Sequence, residues 1–365
     1  MSVDENTASQ QWPLVVGIDL GGTQIRAAVL QGAQIRARAA RLTGDDPTPE
    51  RVLPRIYATV QEALDEAGIT LAEIASIGVS TPGPLDSRTG TLYSPPNLPA
   101  WNGVPLRDIL REKYGKPVFV ENDANAAALG EYLFGAGQGS QHMVYLTVST
   151  GIGGGVIIDG RLLEGVNGSA AELGHITIDW QGERCTCGNI GCLEALASGT
   201  AIANQANAAI ANGQGAELLA FARTMLEHTT TIPDKGALPR QDLSTQPLNP
   251  SMDQALLPEE ELRVTAQTVA RAAEAGIPLA RAIITSAAEA LGVGLVNILH
   301  IFSPEIIILG GGVMQMGNML MEPALKIVQE RAMRANLAEA RIVQAQLGVN
   351  VGLIGAGALP QHYQK

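Results

Sequence analysis

A chain of 365 residues is longer than one average hydrophobic core uses, so two lobes or domains are expected. A composition of 46% hydrophobic and 16% charged residues excludes a disordered polymer. The 24 Lys and Arg against 36 Asp and Glu give a formal charge of -12, and no basic cluster stands out, which argues against a nucleic-acid partner.

The leader "MSVDENTASQQWPL" lacks the cationic head and apolar centre of a secretory signal. "LVVGIDLGG", "TQIRAAVL" and "IRARAARL" then read as three strands joined by tight turns. Residues 49–68 carry apolar positions at helical spacing and end in Gly68, a helix with its stop signal. "IASIGVSTPG" and "PVFVEND" are buried strands, giving a first lobe of βββ-α-β-α-β. "HMVYLTVSTGIGGGVIIDG" repeats the opening pattern of strand, glycine turn and strand, a weak internal repeat. Ala-rich helices are expected near 199–212, 259–275 and 279–300, followed by the strand "EIIILGGG" and a helix from about Asn318 to Arg334. The apolar run Ile283–Phe302 is interrupted by Ser286, Glu289, Asn297 and His300, so it reads as a core helix and not a membrane span. Residues 226–258, rich in Pro, Thr, Asp and Gln without apolar period, read as a surface loop.

Asp19-Leu20-Gly21-Gly22-Thr23 sits between two strands. Its glycines let backbone amides approach phosphate oxygens, with Asp19 placed to hold hydrated Mg2+; the same letters also suit a plain hairpin turn. Thr150-Gly151-Ile152-Gly153-Gly154-Gly155 is the equivalent turn in the second half, and Gly310-Gly311-Gly312 follows a later strand. Neither a G-x4-G-K-[ST] loop nor a G-x-G-x-x-G turn before a helix occurs, which disfavours P-loop kinases and dinucleotide oxidoreductases. In "ENDANAAALGEYLFG", Asn122 or Asp123 would cap a helix, and Asp123 could equally be a carboxylate that takes a proton from a substrate hydroxyl. Glu164, Glu172 and His175 lie in a Gly/Ala-rich stretch that leaves room for a polyhydroxyl ligand. All three cysteines, Cys185, Cys187 and Cys192, fall within eight positions. Cys185 and Cys187 are too close for an easy disulfide and three is odd, so with His175 they read as a tetrahedral zinc set. Such cysteine usage fits a reducing cytoplasm.

Taken in order, DLGGT, VSTPGPLD, ENDANAAALGE, STGIGGG, EGVNGSAAELGH, CTCGNIGCLE and LGGGV resemble the ROK family of sugar kinases and related repressors, most closely its bacterial glucokinases, from about Val15 to Leu359. The resemblance implies an α/β actin-like ATPase (ribonuclease H-like) fold with an interlobe cleft. Residues 1–121 would form the smaller lobe, a C-terminal helix near 350–365 packing back on it, and 122–349 the larger. It implies ATP-dependent phosphorylation of a hexose, glucose first, with an N-acetylhexosamine, mannose or fructose kinase or a non-catalytic sugar sensor as alternatives. Family repressors carry a helix-turn-helix ahead of the first hairpin; only Met1–Pro13 precedes it here, so an enzyme is expected.

Carried over by position, Asp123 matches the catalytic base, and Gly83, Asn97, Asn122, Glu172, His175 and Glu194 the sugar ligands. Asp19, Gly21, Gly22, Thr23, Thr150, Gly151, Gly153 and Gly154 match the phosphate loops, and Gly311 and Gly312 the nucleoside contacts. His175, Cys185, Cys187 and Cys192 match ligands of a structural zinc. A homodimer, without membrane or nucleic acid, completes the expectation. One departure stands out: Ala171 occupies a position that relatives fill with glycine, placing a methyl at a tight turn.

Overall fold

The computed structural model describes residues 12–166, 168–230 and 263–363. Two five-stranded sheets carry the same connectivity. In the first, β1 (Leu14–Leu20) pairs antiparallel with β2 (Gln24–Gln31), which pairs antiparallel with β3 (Gln34–Leu42). On its other side β1 runs parallel to β4 (Ser76–Thr81), the helix α1 (Pro49–Ala67) lying between β3 and β4 in sequence. Three two-residue strands, β5 (Leu85–Asp86), β6 (Thr91–Leu92) and β7 (Val104–Pro105), form a small antiparallel sheet that the sequence did not announce. Helix α2 (Leu106–Tyr114) leads to β8 (Val118–Asn122), parallel to β4 and last in the order β3-β2-β1-β4-β8.

After α3 (Asp123–Phe134) the pattern returns. β9 (Met143–Val148), β10 (Ile152–Ile158) and β11 (Arg161–Leu162) form an antiparallel run. Helices α4 (Leu193–Ala197), α5 (Gly199–Ala211), α6 (Ala216–Thr230), α7 (Ala266–Glu274) and α8 (Pro278–Phe302) precede β12 (Ile306–Gly310), which lies parallel to β9. α9 (Asn318–Arg331) and α10 (Arg334–Glu339) come before β13 (Arg341–Gln344), and the sheet order is β11-β10-β9-β12-β13. The weak repeat in the sequence is therefore a repeat of strand order. The last element of the described residues is α11 (Val351–Tyr363).

The layers follow from where apolar faces point. Val52, Ile56, Val60 and Leu64 of α1 recur at helical spacing and seal the outer face of the first sheet; Gly68, at φ 64°, ends the helix in the left-handed region glycine tolerates. α11 covers the inner face of that sheet, and α3 covers the second, so the helix pair lies between the sheets. Glycine makes the approach possible: a Cβ on Gly78 would fall 1.7 Å from the Ala356 carbonyl oxygen, and one on Gly355 would fall 2.2 Å from that of Ala126. α8 is long and apolar enough to cross a membrane by composition, yet most of it is buried against α4, α7 and α9.

Four boundaries differ from the sequence reading. The helix expected from about 259 begins at Ala266, residues 263–265 being non-helical and 259–262 lying outside the described residues. The first five residues of the loop expected over 226–258 are helical, because α6 continues to Thr230; residues 231–258 lie outside the described residues. The helix expected to run to Arg334 ends at Arg331, where Ala332 turns to extended backbone before α10. The glycine-rich turn expected through Gly155 closes at Gly151, and Gly153 to Gly155 belong to β10.

Candidate active site

The first hairpin is built by the β1–β2 connection. Gly21 N–H donates to the Gln24 carbonyl at 2.9 Å, and the Thr43 hydroxyl donates to the Gly21 carbonyl at 2.8 Å, fixing the turn from two sides. Gly22 lies so close to Asn97 that a Cβ would fall 2.4 Å from the Asn97 Cβ, which seats that exposed residue on the hairpin. Asp19, at the end of β1, is tied through Oδ2 to Arg26, whose Nε donates at 2.9 Å and whose Nη1 donates to the Val349 carbonyl at 2.7 Å. Arg26 was not anticipated; it lies seven residues on, opposite Asp19 in the β1–β2 register.

The second hairpin is held by Ser149 N–H donating to the Gly151 carbonyl at 2.8 Å, while the Ser149 and Thr150 carbonyls accept from Gly199 and Thr200 N–H at 2.7 and 3.1 Å. Gly311, at φ 96°, approaches the Val148 carbonyl, where a Cβ would fall 2.3 Å away. Open space surrounds Gly312, whose nearest neighbour would be the Ser149 hydroxyl at 3.9 Å. That glycine run thus borders the second hairpin.

Asp123 borders a cavity of about 60 Å³, whose lining takes Gly153 and Gly154 from the strand after the second hairpin and none of Asp19, Gly21, Gly22, Thr23, Thr150, Gly151, Gly311 or Gly312. Its lining gathers Gly83, Asn122, Asp123, Gly153, Gly154 and Glu172, from four separate stretches of sequence. Pro84, Leu85, Asn125, Gly168, Ser169 and Ala170 line it too and were missed; Asn125 shows itself only as three positions after Asn122 in a helix, hence on the same face. Asn122 caps α3, its Oδ1 accepting from Ala124 N–H at 2.9 Å and Asn125 N–H at 3.4 Å, while its Nδ2 faces Gly83. Capping and cavity lining are thus two ends of one side chain.

Asp123 is open to the cavity, and its Oδ1 accepts from Ala124 N–H at 2.8 Å. Although water reaches it, protein surrounds it at the cleft floor. That desolvation, then the Asp19 carboxylate, with a smaller contribution from Glu172, pushes its pKa up to about 6, against the opposing hydrogen bonds at the helix start. A carboxylate so poised suits a general base near neutral pH.

Beside the cavity, His175, Cys185, Cys187 and Cys192 bring one ligand atom each within 4.8 Å of one another. Cys187 and Cys192 sulfurs are 3.7 Å apart, and His175 Nδ1 lies 3.6 Å from the Cys185 sulfur. Zinc bond lengths of about 2.3 Å to sulfur and about 2.05 Å to nitrogen, at tetrahedral angles, give separations of about 3.8 Å and about 3.6 Å. The four residues fit the ion.

The cluster reaches both halves of the site. His175 ends a 3-10 turn, Leu173–His175, its N–H donating to the Glu172 carbonyl at 3.0 Å, so fixing the imidazole fixes Glu172 at the cavity. Glu194 lies outside the cavity lining: its Oε2 accepts from Ile152 N–H at 2.9 Å, and its Oε1 is 3.8 Å from the Cys185 sulfur. It therefore joins the cysteine cluster to the second hairpin. Ala171, between cavity wall and 3-10 turn, has φ 62°, the left-handed conformation expected where relatives place glycine.

The sequence profile of the ROK family matches residues 15–362. The chain belongs to the ROK family. It is 33% identical to the glucokinase of Thermotoga maritima, over 94% of this chain and 96% of that one. It is 30% identical to the xylose repressor of Caldicellulosiruptor bescii, over 94% of this chain and 77% of the repressor. Among solved structures, a ROK family glucokinase from Streptomyces griseus in complex with glucose and AMPPNP aligns at a TM-score of 0.72 and 31% identity, covering 96% of this chain and all of that one. The fold is thus that of ROK sugar kinases, the actin-like ATPase architecture expected from the motifs.

Proposed function

We propose that this ROK protein transfers the γ-phosphoryl group of ATP to the 6-hydroxyl of glucose, with Asp123 as general base. The single observation that carries this reading is the cavity in which Asp123, its pKa raised to about 6 by burial and by the Asp19 carboxylate, meets Glu172 and Asn122. The hydroxyl gives its proton to the Asp123 carboxylate as its oxygen attacks phosphorus, and the bond to the β-phosphate oxygen breaks as ADP leaves.

Glu172, Asn122 through Nδ2, and backbone at Gly83 hold sugar hydroxyls, and each unmet partner left by a wrong epimer penalises it. Asn97, seated on the first hairpin, and the second ring nitrogen of His175 approach the same sugar. Glu194 acts on it indirectly, through the cluster and hairpin it joins. Gly21, Gly22 and Thr23 on one side, and Thr150 and Gly151 on the other, receive the phosphates through backbone N–H groups and hydroxyls. Gly153 and Gly154 serve as the flat wall that a side chain would fill, and Gly311 and Gly312 border the nucleoside. Asp19, paired through Oδ2 with Arg26, would hold hydrated Mg2+, which would neutralise phosphate charge. His175, Cys185, Cys187 and Cys192 would hold a structural zinc that supplies rigidity to Glu172 and the second hairpin, with no open position for chemistry.

The lobes divide at about residue 122, with α11 rejoining the first, and the enzyme works as a cytoplasmic homodimer. Glucokinase relatives matched over nearly their whole length support this reading. A panel of glucose, N-acetylglucosamine, mannose and fructose against ATP, ADP and polyphosphate tests it: turnover highest with glucose and ATP is expected, and no phosphorylation of any sugar overturns it.

A further inference from the structure

Glu121 is fully buried in β8, one residue before Asn122 and two before Asp123. Its Oε1 accepts from Asn122 N–H at 2.7 Å and from Asn125 Nδ2 at 3.1 Å, so it orients both cavity-lining asparagines. Its Oε2 lies 2.5 Å from the hydroxyl of Tyr363, the last residue of α11, and that hydroxyl is also 2.6 Å from Glu164 Oε1. Glu164 opens the loop that carries Gly168, Ser169, Ala170 and Glu172 into the cavity, and its own carbonyl accepts from Ala170 N–H at 3.2 Å. A phenol has one hydrogen and can donate to one carboxylate only. A second linear bond would need a hydrogen on a carboxyl group, which would give the trio one proton more than two carboxylates and a phenol carry.

We propose that Tyr363 is a positioning residue for the sugar site, its hydroxyl sharing one extra proton with Glu121 and Glu164 and so clamping the strand that carries Asp123 to the loop that carries Glu172. This rests on the sugar-kinase reading above. Burial raises the Glu121 pKa, and the Glu164 charge adds to that, which agrees with a proton retained between them. The groups facing the trio are Glu121 from β8, Glu164 from the loop, Arg88 from the β5–β6 turn, which feels the Glu164 charge, and the His362 ring edge-on to Tyr363 at 4.9 Å. Phe119, stacked on Tyr363 at 5.9 Å, fixes the ring. Above the pH at which the extra proton leaves, two anions share one donor and one contact opens.

Calorimetric glucose titration without nucleotide, from pH 6 to 9, and hydrogen exchange of residues 164–172 test the clamp. Wild-type affinity should weaken toward alkaline pH. Tyr363→Phe should weaken glucose about tenfold at pH 6.5 and speed exchange in that segment. Glu164→Gln supplies an amide N–H to the phenol oxygen without any extra proton, and so should bind at near wild-type strength with a flat profile. A Tyr363→Phe protein that loses only thermal stability, with unchanged affinity and exchange, overturns the proposal, as does a Glu164→Gln profile that still falls with pH. The exchange readout needs no turnover or sugar, so failure of the kinase panel with faster exchange in Tyr363→Phe would sink the functional reading alone. Should Tyr363→Phe not fold, the Glu164→Gln profile decides.

Discussion

An ordinary aspartate titrates near 4, so a general base without its surroundings would keep this enzyme working well into acid. Asp123 is pushed up to about 6, and roughly nine-tenths of the molecules carry the ionised base at pH 7 but only about a tenth at pH 5. The expected kcat/KM for glucose therefore falls about tenfold per pH unit below 6. Asp19→Asn removes the second-largest cause of the rise and frees the Arg26 guanidinium, so the acid limb should move to lower pH even as absolute activity drops. Asp123→Asn should lose on the order of 10²- to 10⁴-fold in turnover. Its stability should not fall: a carboxyl whose native pKa is raised draws stability away as pH climbs from about 4 to about 6, and the amide removes that charge. Direct measurement of glucose 6-phosphate from pH 4.5 to 8, with melting curves alongside, checks all three. A wild-type limb below pH 5, or one that Asp19→Asn leaves in place, would refute the electrostatic account.

Metal analysis should find about one zinc per chain, and chelation or Cys187→Ser should lower thermal stability and glucose affinity together, since the cluster holds both Glu172 and the second hairpin. Loss of the metal with unchanged affinity would separate the two roles. Ala171→Gly should stabilise by roughly 0.5–1 kcal/mol, the left-handed strain of about 1–2 kcal/mol being offset in part by glycine's freedom in the unfolded chain; denaturant titration reads the sign. Gly78→Ala forces a methyl onto the Ala356 carbonyl, and should destabilise by about 1–3 kcal/mol or more by lifting α11 off the first sheet.

Local patterns made much of this site legible. A β-branched run ending in a glycine pair announces a strand and a turn, and three clustered cysteines with a histidine announce a metal set, because spacing alone brings those atoms together. Other features needed the tertiary fold. The family resemblance implies Glu194 as a sugar ligand, and no local pattern announces that its Oε2 accepts from Ile152 N–H of the second hairpin, a partner 42 positions away. Gly153 to Gly155 look like turn because glycine is weak in strands, and they are strand because α3 and the loop before His175 pack where side chains would stand. The two-residue strands β5 to β7 are too short for any alternation to show. α11, "VGLIGAGALPQHY", is apolar on nearly every side and offers no helical stripe, being buried between a sheet and another helix.

The position of Asp123 follows from the doubled architecture. β8 is the last strand of the first sheet, Asn122 pairing with Thr81, while α3, beginning one residue later, packs on β9 and β10 of the second sheet. Asp123 is therefore where the chain passes from one sheet to the other, at a helix start that favours an anion. Each sheet places its hairpin at the same topological position, between its first two strands. The return crossing is braced by Glu131 of α3, whose carboxylate accepts from Gln346 and Leu347 N–H at 2.9 and 2.8 Å just ahead of α11. Both crossings are thus anchored on one helix, and the carboxylate at its first residue faces a cavity that neither sheet could form alone.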